Sequence, residues 1–171
     1  MRRIAALFLC LIILAFASGC KDRNASASHD VDIPYFTDMG ALPECELKLG
    51  DSLPDLEKEE NAGYMSFSDS KPPYISDGSF SFYYDAASEE KTVTKIAAFN
   101  TAFGFETGDI VIEITDALDG QSVEYAERDP HDGELFFLPA GNNRSVVECK
   151  SLKTPLLFVF EENALCAVLL G

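Results

Sequence analysis

The chain has 171 residues, with 29 acidic against 13 basic side chains, a formal charge of −16 and no tryptophan. A length of this order allows one domain, or two small repeats sharing a core, and buries about 70% of the unfolded surface, so neither a metal nor a disulfide is needed for stability. The charge repels phosphate backbones and anionic head groups, which argues against nucleic acid and leaves two readings open: a basic protein partner, or an acidic surface that keeps the protein soluble.

At the N-terminus, Arg2 and Arg3 precede an apolar run from Ile4 to Phe16, the pattern of an export signal and too short for a mature membrane span. Ala15-Phe16-Ala17 offers an ordinary A-x-A cleavage site, and Ala17-Ser18-Gly19-Cys20 competes with it. The second tetrapeptide resembles the lipobox of bacterial lipoproteins, although Ala17 stands where that family most often has Leu. The resemblance implies a signal peptide over 1–19, cleavage before Cys20, and fatty acylation of its thiol. With about 0.8 kcal/mol per buried CH₂, two or three acyl chains hold a protein in a membrane permanently. The chain from Cys20 onward has 152 residues and a charge of −18, because Arg2 and Arg3 leave and no acid does. Lys21 after the lipidated position resembles the outer-membrane class, which implies an anchored protein facing the periplasm.

"KDRNASASHD" has no aliphatic side chain larger than Ala, so residues 20–30 read as a flexible tether before a single domain over 31–171. Within that domain, "CELKLGDSLPDLEKEENAGYMSF" (45–67) lies on "FGFETGDIVIEITDALDGQSVEY" (103–125) without a gap, matching Gly50-Asp51 to Gly108-Asp109. In the first copy Asp51 or Ser52 can cap a short helix with Pro54 in its first turn and Leu53 and Leu56 on one face. In the second, Ile110, Ile114, Ala117 and Leu118 have helical spacing, with Asp109 as cap and Gly120 after the end; Ile110, Ile112 and Ile114 fit a strand too, and the repeat favours the helix. Each copy closes on a hairpin: Phe80–Tyr84 with Val93–Ile96, and Leu156–Phe160 with Leu165–Leu170. A further hairpin is expected to turn at Asp132-Gly133.

These elements predict an α+β fold: two tandem repeats, about 45–100 and 103–171, each a short helix plus antiparallel strands, forming one sheet with the helices on one face. The arrangement resembles the repeats of the β-lactamase-inhibitor-like fold and of small outer-membrane lipoproteins of the SmpA/OmlA kind. The resemblance implies a concave sheet that engages a protein partner.

Catalytic patterns are scarce. His29 and His131 are the two histidines, and no serine sits in a nucleophile elbow. The acidic loop at Asp129, Asp132 and Glu134 is either a weak calcium site or a solvated turn; its glycine is misplaced for an EF-hand. Beyond Cys20 the thiols are Cys45, Cys149 and Cys166, and either Cys149 pairs with Cys166 or all three are small buried hydrophobes. Alternation puts Phe80, Phe82 and Tyr84 on one face of their strand and Tyr83 on the other; Tyr83 with Tyr64 or Tyr74 either forms a binding patch or packs the sheet edge. The resulting expectation is a non-enzymatic, cofactor-free envelope lipoprotein that binds an unknown protein through its sheet face. Calcium or small-ligand binding and an envelope hydrolase are the alternatives.

Overall fold

A computed structural model describes residues 31–58, 61–141 and 143–171. The signal, the tether, Cys20 and His29 lie outside the described residues.

The chain enters through a short helix α1 (Ile33–Asp38), whose N-terminus is capped by Asp32 accepting a hydrogen bond from the Tyr35 amide at 2.9 Å. Strands β1 (Met65–Phe67), β2 (Tyr74–Ser76), β3 (Phe80–Tyr84) and β4 (Val93–Ala98) form an antiparallel meander. A small hairpin, β5 (Thr101–Ala102) with β6 (Phe105–Glu106), and the helix α2 (Val111–Gly120) then carry the chain to the far edge. From there β7 (Tyr125–Arg128), β8 (Arg144–Cys149), β9 (Leu156–Glu161) and β10 (Ala164–Leu170) return as a second meander. β10 pairs with β4, closing an eight-stranded antiparallel sheet in the order β1-β2-β3-β4-β10-β9-β8-β7.

The fold is therefore mostly β, with ten strands and two short helices among the described residues, and not the α+β array of helix-plus-hairpin repeats that the sequence suggests. The helix expected at Leu53–Leu56 is absent: residues 53–55 carry no regular structure and Leu56 and Glu57 lie in a turn. Ser52 bridges Thr92 just as Ile110 bridges Ala164 in the second copy, but here Leu53 alone packs on the core and Leu56 is 36% exposed, so the segment lacks the inward pair that would hold a short helix. The hairpin expected at Asp132-Gly133 is also absent, since β7 and β8 pair directly and the chain leaves the sheet edge after Arg128.

What does recur is the hydrogen bonding around the two Gly-Asp pairs. Gly50 N–H donates to Val93 O (2.8 Å) and Val93 N–H to Asp51 O (2.9 Å); Gly108 N–H donates to Leu165 O (2.8 Å) and Leu165 N–H to Asp109 O (2.7 Å). Both aspartates also turn back three residues, accepting from the amides of Lys48 (3.0 Å) and Glu106 (2.8 Å). The preceding glycines have φ of +87° and +104°, a region that L side chains enter at a cost. Val93 is the first residue of β4 and Leu165 the second of β10, and one residue later each strand bulges, at Thr94 and at Cys166. Where the two strands pair, Ala97 faces Leu169, flanked by Ile96 with Leu170 and Ala98 with Val168. An approximate two-fold axis normal to the sheet thus passes between Ala97 and Leu169 and exchanges the two meanders.

One face of the sheet carries Phe82, Ile96, Phe158, Phe160 and Val147, all buried, against Ile33 of α1, Ile114 and Leu118 of α2, and the rings of Phe103 and Phe105. Each such side chain contributes roughly 1.5–3 kcal/mol by leaving water. Gln121 joins the helices, accepting from Ile33 N–H at 2.8 Å and donating to Val31 O at 2.9 Å. The other face is covered by Leu135–Leu138 of the connection between β7 and β8, the flap.

Candidate functional site

On the second face, strand pairing aligns Tyr83 with Tyr74 and Tyr74 with Phe67. The flap adds Phe136 and Phe137, because its apolar run Leu135–Leu138 can leave water only by lying on the sheet. The result is a continuous row of rings. Phe67 stacks on Tyr74 with centroids 4.5 Å apart and planes at 13°, Tyr74 meets Tyr83 at 5.1 Å, and Phe136 stands edge-on to Tyr83 at 5.0 Å. Phe137 follows at 5.5 Å and Phe99 at 6.2 Å. The row is closed at the flap end and open at β1, where Phe67 is 39% and Met65 54% exposed.

The flap is pinned by Arg128, the last residue of β7. Its guanidinium holds Glu134 through two nitrogens, at 2.5 and 2.8 Å, and Glu148 of β8 at 2.6 Å. Hydrogen bonding to Arg128, reinforced by the His131 amide, keeps the Glu134 carboxyl below its ordinary range. Glu148 is lowered likewise, first by Lys150 at 2.6 Å and then by Arg128. Beside this cluster lies an open cleft of about 600 Å³, floored by Leu157 and Leu169 and walled by Phe136. Lys95 at its rim donates to the Gly171 carbonyl at 2.6 Å. Three cations (Lys95, Arg128, Lys150) and three carboxylates (Asp132, Glu134, Glu148) line it, so the cleft is apolar below and charge-balanced above.

The sequence-derived site residues fare unevenly. Tyr83 does not present itself to solvent: it is 3% exposed beneath Phe136, and burial pushes its hydroxyl up to about 12. Tyr74 is half-buried on the same face, whereas Tyr64 lies on the opposite face, 6.0 Å from the Phe82 ring. The Cys149–Cys166 disulfide is absent; both thiols and Cys45 are free. Cys149 belongs to the first-face core and Cys166 packs on the second, with β9 between their strands, and two strand spacings of about 9–10 Å exceed the span of a disulfide. Burial raises the thiols of Cys45 and Cys149 to about 12. Asp129, Asp132 and Glu134 do not converge on a cation position, and no metal-binding cluster occurs among the described residues, because Glu134 is committed to Arg128.

Sequence reasoning missed Phe67, Phe136, Lys95 and Arg128. The legible signal was "LFFL" inside a polar stretch, a run too short for a helix and too apolar for a solvated turn. Comparison with protein-family models, with characterised proteins and with solved structures gives no match.

Proposed function

We propose that this is a lipid-anchored, non-enzymatic protein of the bacterial envelope that binds another protein through the second face of its sheet. The lipobox-like Ala17-Ser18-Gly19-Cys20 supports the anchoring, and Lys21 supports the outer membrane as its place. The observation that carries the binding reading is the row of rings left open at Phe67 and Met65 and continuous with the cleft beside Phe136. Aromatic side chains at the margin of a rigid sheet supply large contact area at low entropic cost, the property of binding hot spots. Affinity capture from gently crosslinked envelopes tests it: one stoichiometric protein is expected, lost with Phe67→Ala. Capture that is indifferent to this substitution would remove the second face from the binding role.

The cleft itself favours a second reading, a small amphipathic ligand seated on Leu157 and Leu169. Leu157→Asp would abolish such binding and leave capture of a protein through Phe67 in place.

A further inference from the structure

The internal two-fold identifies what the open end of the second face lacks. Rotation about the Ala97–Leu169 axis carries the line Phe67–Tyr74–Tyr83–Lys95 onto Arg128–Val146–Val159–Ala167, strand for strand. In the second half that line is covered: Leu135, Phe137 and Leu138 lie on Val146, Val159 and Ala167, which are at most 2% exposed, and Glu134 pairs with Arg128. The covering segment is the flap, fifteen residues between β7 and β8. In the first half the corresponding connection, between β1 and β2, is only the six residues 68–73 and does not reach back over the sheet. Hence Phe67 is 39% exposed and Tyr74 half-buried, where Val146 is sealed and the Arg128 side chain, 20% exposed, is held under Glu134.

We propose that the Phe67–Tyr74 end of the second face is the docking site for an apolar segment of a partner protein, flanked by basic residues, which lies there as Leu135–Leu138 lies on the other half. The apolar character follows from the counterpart, whose occupant is visible. The basic flanks follow from charge: the loops at the same end of β1 to β4 expose Asp69, Asp85, Glu89 and Glu90, against Lys71 and Lys91, on a chain of net charge −16. This deepens the binding reading above and rests on it. Anchoring is not required for it.

The test uses the full chain in detergent micelles, which keep it in solution whether or not Cys20 is acylated. Its probes are two fluorescent peptides, Lys-Lys-Leu-Phe-Phe-Leu-Lys-Lys and the same core between glutamates. Saturable binding of the lysine-flanked peptide is expected, weakened about tenfold or more by Met65→Lys with Phe67→Ser, both surface positions. A separate charge-reversed chain, Asp85→Lys with Glu89→Lys and Glu90→Lys, should reverse the preference between the peptides. Equal binding by the parent and the Met65/Phe67 variant, with unchanged melting of both, would overturn the site; equal affinity for both peptides would overturn the partner's charge. Self-association of the chain, abolished by the Met65/Phe67 variant, would make a second copy the occupant and overturn the proposal. If no peptide binds while envelope capture still depends on Phe67, the inference about the partner fails and the binding reading survives.

Discussion

Arg128 holds two carboxylates with one guanidinium and ties the flap to the sheet edge at Glu134, while Arg144 of β8 ties it again by donating to the Pro139 carbonyl at 2.6 Å. Arg128→Met should cost about 1 kcal/mol, since these groups are partly solvated, and lower the melting temperature by a few degrees. The pH dependence has a definite sign. Glu134 and Glu148 titrate lower folded than unfolded, so their contribution is full above the unfolded carboxylate value and disappears as pH falls through the folded one. Melting temperature measured from pH 6 down to about pH 3 should therefore fall less steeply in the Arg128 variant. An unchanged slope would mean that the ion pairs do not persist in solution. The cysteines provide an independent check: with thiols raised by burial, Cys45, Cys149 and Cys166 should resist alkylation at pH 8 until the protein is unfolded, then take one label each. A denatured mass two labels short would establish a disulfide and contradict the strand arrangement.

At the scale of elements, Gly50 and Gly108 perform the same task, and the space beside each is open, so alanine there meets strain and no clash. Gly50→Ala and Gly108→Ala should each cost about 1–2 kcal/mol in urea unfolding, and the two costs should add because the sites are distant. A large difference between them would mean that the two Gly-Asp turns are not equivalent. The matching of "LGD" with "TGD" was legible because the turn, its glycine and its aspartate are local chemistry. The helix read after the first of them was not there, because helical spacing in Leu53 and Leu56 does not say which of the two reaches the core: Leu53 packs on it and Leu56 stays 36% exposed. α2 formed because Val111–Gly120 has ten residues and an inward pair, Ile114 and Leu118, that reaches the core. Alternation in Phe80–Tyr84 assigned both faces of β3 correctly, but not that the second face would be covered; that depends on a flap whose anchor, Arg128 to Glu134, involves residues that read as an acidic turn.

At the largest scale, and among the described residues, the two halves share a hydrogen-bond plan and differ in how the second face is finished, sealed by the flap at one end and bare at the other. Phe136→Ala should loosen the seal over Tyr83 and cost about 2 kcal/mol for a half-buried ring, read by chemical denaturation; no loss would mean that the flap does not pack on the sheet in solution. Anchoring belongs to this scale as well: Cys20→Ser should move the protein out of the membrane fraction, and retention there would contradict the lipobox reading. The central claim, that the bare end of the second face meets a protein in the envelope, is tested most directly by placing a photo-crosslinking phenylalanine analogue at position 67 or, as a control, at exposed Asp116 on α2. Irradiation of living cells should give one discrete adduct from position 67 and none from position 116. Adducts from position 116 alone, or the same set from both positions, would contradict the assignment of the second face as the binding surface.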